Sequence, residues 1–333
     1  MENSAANLAN LVVWGGFALA LIFGFVASKT NFCTMGALSD VVNMEHWGRM
    51  RMWLLTIAVA VLGTSMLVYS GQIDSAKSIY QRPQLSWLSL IVGGLLFGVG
   101  MTMAGGCANR NLIRVGAGSV RSLVVLVFMA ISAYMTLKGL FGQLRASLLD
   151  PVVLDLSPLG MKTQSLADLL SSAAGIPAKS ALLVVAAWYL SGHIGFAENP
   201  DTLEMSYFAT NTRTIESFSF VAPTAFSLEL LMLWTDKSLR ITFGIAAALG
   251  IVLGSLVHAL SHKTFRWEGF ANLEDLRNQL VGAMLMGFGG VTAMGCTVGQ
   301  GITGVSTLAI GSFIALGSII VGCVAMLKWQ NRD

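Results

Sequence analysis

The sequence predicts an all-α polytopic membrane protein, and three observations carry that prediction. Of its 333 residues, 55% are hydrophobic and only 11% are charged. A soluble domain carries about 25% charged residues, so this chain cannot cover a water-exposed surface of its size. Apolar stretches of roughly 20 residues, the length that crosses a hydrocarbon core, recur along the chain. Finally, residues 278–327 contain no charge at all. As one helix they would reach about 75 Å, far beyond a bilayer's thickness, so the chain must turn inside this run.

The same composition excludes intrinsic disorder. A net charge of +3 without a basic run argues against nucleic acid as a partner. Four cysteines, Cys33, Cys107, Cys296 and Cys323, lie in or beside apolar segments, and none forms a CxxC pair. Zinc, a thioredoxin-like dithiol and c-type haem therefore have no sequence support, and no metal or other cofactor is expected.

In chain order, spans are predicted near 8–28, 53–72, 86–106, 122–140, 180–197, 216–235, 241–261, 279–296 and 306–327. That makes about nine transmembrane helices in a single transmembrane domain, 1–333. The amino end MENSAANLAN has no basic region of a cleavable signal and is read as a retained first span. With that end outside, 12 of the 20 Lys and Arg residues fall on inside segments, including Lys29, Arg49, Arg51, Arg110, Arg114 and Arg121. Positive residues favour the inside, so the carboxyl end is placed there too. Trp53, Trp87, Trp188, Trp234 and Trp329 fall near span ends, as interfacial rings do. Residues 141–179, with Pro151, Pro158 and Pro177, form the outer connecting segment, with a short surface helix expected over 163–173. His46, Trp47, Arg49 and Arg51 read as an inside-surface anchor.

Three segments align without gaps: GFVASKTNFCTMGALS (24–39), GVGMTMAGGCANRNLIRVGAGS (98–119) and GFGGVTAMGCTVGQGITGVSTLAIGS (287–312). Each runs from a glycine to a cysteine nine positions on: Gly24 to Cys33, Gly98 to Cys107, Gly287 to Cys296. Each cysteine thus ends an apolar helix and opens a Gly- or Asn-containing break. The Cys107 helix is predicted to run inward and the Cys296 helix outward, because three arginines follow the first and no basic residue follows the second before Lys328. This is an inverted pseudo-two-fold repeat with short re-entrant half-helices: 1–140 forms one half and 180–333 the other. The counterpart of the Cys33 segment is sought at 195–204, GFAENPDTLE, which lacks cysteine.

A half-helix starting after each break aims free N–H groups and its positive dipole end at the break. That favours an anion without a fixed positive charge. A neutral thiol beside it is a weak donor and a polarizable partner, suited to sulfur. Cys33, Cys107 and Cys296 are therefore the candidate path, whereas Cys323, alone on the last span, reads as a small buried hydrophobe. Asn31, Asn109 and Gln300 flank the breaks and either donate to an anion or cap the half-helices. Glu229, inside the sixth span, either serves function, snorkels or bonds within the bundle. His258 and His262 lie four apart without a third ligand and read as an interfacial pair.

The motifs NFCTMGALSD (31–40), AGGCANRNLIRVGAGS (104–119) and GCTVGQGITGVSTLAIGS (295–312) resemble the YeeE/YedE sulfur-transport family. So do ITFGIAAALGIVLGSL and SHKTFRWEGF within 241–270. The resemblance implies a bacterial inner-membrane importer of thiosulfate or a related sulfur anion. It implies an hourglass-shaped inverted repeat whose cysteines, here Cys33, Cys107 and Cys296, pass the anion inward by thiol hydrogen bonds. It also implies that a TusA-like carrier on the cytoplasmic side can take part. The rival from another class is a membrane sulfurtransferase or thiol oxidoreductase using a cysteine persulfide, which requires a reactive thiolate beside a base or cation.

Overall fold

A computed structural model of the chain describes residues 2–74, 77–155, 164, 197–198, 205–206, 218–236 and 239–331. The first span is α1 (Glu2–Thr30), followed after Asn31–Cys33 by the half-helix α2 (Thr34–Met44). Helix α3 spans Gly48–Tyr69, α4 Trp87–Met103, the half-helix α5 Ala108–Gly116, and α6 Val120–Lys138. Then come α7 (Leu140–Leu148), α8 (Val221–Met232), α9 (Phe243–Ser261), α10 (Leu273–Thr292) and α11 (Ile310–Gln330). Two two-stranded antiparallel ribbons complete the described residues. In one, Gln84–Leu85 pairs with Leu154–Asp155; in the other, Ala197–Glu198 pairs with Met205–Ser206.

Among the described residues, six helical segments are long and apolar enough to cross a membrane, and the protein is a multi-pass membrane protein. Helix α10 begins six residues before the span predicted at 279–296, because Glu274, Asp275 and Arg277 break the apolar pattern without breaking the helix. Asn272 caps it, its Oδ1 accepting from the Asp275 N–H at 2.7 Å, and the two acidic residues suit the positive end of the helix dipole. The predicted span 216–235 contains the shorter α8. The predicted span 180–197, the helix at 163–173 and the repeat candidate at 195–204 lie outside the described residues, apart from Gln164 and Ala197–Glu198. Trp53 departs from the interfacial reading. It is 3% exposed, and its ring lies against Gly301, whereas Trp87, Trp234 and Trp329 are exposed.

The core is built on backbone-to-backbone contact at glycines. Helices α4 and α10 are antiparallel: Gly93 meets Gly289 and Ala293, while Gly100 meets Gly282 and Met286. A Cβ at any of these four glycines would collide with the facing backbone. Shifting the sequence by 189 positions, from Cys107 to Cys296, carries Gly93 onto Gly282 and Gly100 onto Gly289. Each contact is thus the other seen from the opposite helix. The outer flanks repeat the relation. Gly98 of α4 packs on the Ile319 carbonyl and Cys323 amide of α11, and Gly287 of α10 packs on the Met129 carbonyl and Ala133 amide of α6. The unit α4–α5–α6 and the unit running from α10 to α11 are therefore two antiparallel copies. Outside this four-helix seam, α1 runs parallel to α9: Gly16 lies on Phe243, Gly24 on Ile251, and Ser28 meets His258 at 3.0 Å. The three glycines of the sequence repeat, Gly24, Gly98 and Gly287, are all close-approach points.

Candidate functional site

Cys33, Cys107 and Cys296 each sit just past the same device for ending a helix. In α4 the Gly106 amide bonds to the Met101 carbonyl at 2.9 Å and the Gly105 amide to Thr102 at 3.2 Å, with Gly105 left-handed at φ +68°. In α10 the Gly295 amide bonds to Gly290 at 2.8 Å and the Met294 amide to Val291 at 3.0 Å, with Met294 at φ +56°. In α1 the Phe32 amide bonds to Ala27 at 3.1 Å, with Asn31 at φ +53°. A left-handed residue with this bond pattern satisfies the last carbonyls and turns the chain sharply. The cysteine two residues on is thereby set in an extended conformation at the start of the next element, with φ −156° at Cys33 and −70° at Cys107.

At Cys33 and Cys296 the sulfur takes the place of the usual capping oxygen. Cys33 Sγ accepts the Gly36 amide at 3.4 Å, and Cys296 Sγ accepts the Gly299 amide at 3.4 Å. With a lone pair so engaged, each S–H remains free to donate elsewhere. Cys107 holds the same position at α5 without that cap bond. Its thiol instead faces the thiol of Cys33, and the Thr297 hydroxyl lies beside it. All three thiols are buried, none more than 6% exposed. The structure therefore brings Cys33 and Cys107 together. Thr297, the residue after Cys296, also sets the break in α10 beside the break in α4.

The supporting residues divide. Asn109 is 1% exposed, and its carbonyl oxygen has no partner. Among the described residues its carboxamide is not tied by any hydrogen bond, so it is free to turn a donor toward a guest. Gln300 is anchored, its Nε2 donating to the Ala293 carbonyl while its buried Oε1 stays unpartnered. Asn31 sits at the rim, its Oδ1 accepting from Arg110 Nη1 at 3.0 Å. Glu229 is not near the breaks. It is 5% exposed and pairs with Lys138 at the end of α6. Cys323 lies in the seam, accepting from the Thr102 hydroxyl at 3.3 Å, and His258 is engaged by Ser28 at 3.0 Å. Arg49 of the anchor region pairs with Asp40 at 2.7 Å.

Sequence reading missed Thr297, Asn111, Ser312 and Trp53. Each presents a buried polar atom without a hydrogen-bond partner from the other elements, apart from the thiol beside Thr297. Asn111 Nδ2 meanwhile donates to the Gly106 carbonyl at 3.0 Å and the Cys107 carbonyl at 3.2 Å, locking the break. A hydroxyl directly after Cys296, and an asparagine four residues after Cys107, were the available signals.

A buried polar atom without a partner costs free energy unless something meets it, so this density of unpaired groups marks a polar track through an apolar interior. Soft thiols, hydroxyl and carboxamide groups and half-helix N-termini, with no fixed cation inside the thiol cluster itself, suit a small, diffuse, sulfur-bearing anion.

Comparison with known proteins agrees with that chemistry. The Sulphur transport family matches residues 29–192 and 173–325. A relative from Escherichia coli (strain K12) named Thiosulfate transporter TsuA is 24% identical over 342 residues, covering 93% of this chain and 92% of the relative. A relative of the same name from Spirochaeta thermophila is 25% identical over 331 residues, covering 93% and 97%.

Proposed function

The chain belongs to the sulphur-transport family, and from that premise we propose that it imports thiosulfate or a closely related sulfur anion across a bacterial inner membrane. The observation that carries this reading is the meeting of the Cys33 and Cys107 thiols beside Thr297, in line with the Cys296 break. The anion enters at Cys296, is met by S–H and O–H donors, and passes to the Cys33–Cys107 pair. The amino end is outside and the carboxyl end inside, consistent with Arg110, Arg114 and Arg121 following Cys107 and the absence of basic residues between Cys296 and Lys328. Because backbone touches backbone along α4 and α10, the anion moves and the helices stay. The halves 1–140 and 180–333 are the two copies, and 141–179 is the outer connection. A TusA-like carrier collects the sulfur inside.

The adjacency of two thiols also favours a second reading, a persulfide relay. There a Cys33 thiolate, held by the Gly36 amide at 3.4 Å, takes the outer sulfur of thiosulfate, forming an S–S bond, and releases sulfite with the electron pair of the cleaved bond. Cys107 then attacks the Cys33 sulfur, forming a Cys33–Cys107 disulfide and expelling hydrosulfide, and a cellular dithiol reduces the disulfide for the next turn.

The test is uptake of radiolabelled thiosulfate by cells lacking other sulfur importers, comparing wild type with Cys107→Ala and Cys296→Ala at equal membrane abundance. Uptake by wild type and by neither variant supports the thiol path. Uptake surviving both variants discards it. Sulfite release tracking flux, with complete loss in Cys107→Ser, selects the persulfide relay.

A further inference from the structure

Four arginines stand near the two half-helices that begin at Cys33 and Cys107, and they are not equivalent. Arg49 is neutralised by Asp40 at 2.7 Å and Arg121 by Asp275 at 3.2 Å. Arg110 and Arg114 have no carboxylate within ion-pair distance among the described residues. Arg110 donates to the Asn31 carboxamide at 3.0 Å, and Arg114 to the Gly105 carbonyl at 3.0 Å. Both are half-buried, lie one helical turn apart on α5, and share an electrostatic neighbourhood with the Cys33 thiol. The break in α4 makes room for them. The stem of Arg110 lies where a Cβ of Gly106 would stand, and Arg114 Nη1 comes within 3.7 Å of the corresponding point at Gly105. A guanidinium carries five N–H donors, and one neutral acceptor apiece leaves most of them unused. Two such forks side by side repel one another and match the oxygens of a tetrahedral oxyanion.

We propose that Arg110 and Arg114 form a second anion site, a release station that takes the sulfur oxyanion by its oxygens as it leaves the Cys33–Cys107 thiols. It rests on the transport reading above and adds a division of labour within the substrate. Thiols address the sulfur end, and guanidinium groups draw the oxygen end toward the α5 side. Asn31 holds Arg110 against the end of α1, so the station stays beside the thiols rather than swinging into solvent.

Transport of radiolabelled thiosulfate is measured in right-side-out and inside-out vesicles for wild type, Arg110→Gln and Arg110→Lys. In Arg110→Gln the half-saturating concentration rises about tenfold for substrate presented from the α5 side and less than twofold from the Cys296 side, with the maximal inward rate reduced. Arg110→Lys keeps at least half of the wild-type rate. Arg114→Gln repeats the one-sided shift if its thermal stability in detergent matches wild type. Unchanged half-saturation from both sides overturns the proposal, and so does an equal shift on both. Wild-type vesicles that carry no thiosulfate refute the transport reading itself, and with it the station. Wild-type flux with a two-sided or absent shift refutes the station alone.

Discussion

The breaks at Cys107 and Cys296 are the same backbone with different surroundings. Both end a helix with the same pair of amide-to-carbonyl bonds, and both place the cysteine two residues beyond a left-handed position. Past the cysteine they diverge. After Cys107 a regular two-turn helix carries Arg110 and Arg114. After Cys296 the segment Gly299–Gly304 winds in a wider, π-type turn, with the Thr303 amide bonding back five residues to Val298 at 2.9 Å. That segment is buried against Trp53, Ser219 and Ser312. Past the break one unit carries charge on a regular helix, and the other carries glycines on a wider turn. The difference teaches that asymmetry between the two breaks comes from decoration, since two units of opposite sense offer none by themselves.

The most severe way to break the comparison is to attack what the copies share. Gly100→Leu and Gly289→Leu each force a large side chain into facing backbone. Both are expected to abolish properly inserted protein to the same extent, read by membrane abundance and by monodispersity in detergent. A clear survivor on one side alone would show that the seam is not symmetric.

A next test separates paired from solitary thiols. A trivalent arsenical bridges two neighbouring thiols. It is expected to protect Cys33 and Cys107 from maleimide at concentrations at least about tenfold below those needed at Cys296. Thiosulfate in excess should slow labelling of all three. Equal protection at the three sites would deny the pairing.

The turn residues give a finer contrast. Gly105→Met puts a side chain on a left-handed backbone at φ +68° and is expected to cost about 1–2 kcal/mol of stability. Met294→Gly relieves the same strain at φ +56° and is expected to gain up to about 1 kcal/mol. Thermal unfolding in detergent followed by thiol exposure measures both signs. The smallest effect is expected at Cys323→Ala. Its thiol lies inside α11, accepts from the Thr102 hydroxyl and opens no half-helix, so uptake should stay at the wild-type level.

Much of this was legible in the sequence because spacing survives where chemistry drifts. The interval from glycine to cysteine marked the close-approach point and the break in all three segments. The left-handed position was not legible, since Asn31, Gly105 and Met294 share a conformation and no side-chain property. The meeting of Cys33 with Cys107 was hidden for another reason. It depends on α1 docking along α9, which in turn holds α5 through Ser255 and the Ile113 carbonyl at 2.9 Å. Such a contact has no local signature. Lys138 as the partner of Glu229 was likewise out of reach, because 91 residues separate the two groups.

The glycine seam between α4 and α10 can also be described in the language of oligomers. It is an isologous interface made within one chain: what the first helix offers the second is what the second offers the first. In such an interface a substitution and its repeat mate strike the same pair of facing surfaces from opposite ends. A mutational scan should therefore show sensitivity in couples, with Gly93 matched to Gly282 and Gly100 to Gly289, while Arg110 and Arg114 have no echo in the other half. The residues that respond alone are the ones that tell the two ends of the seam apart.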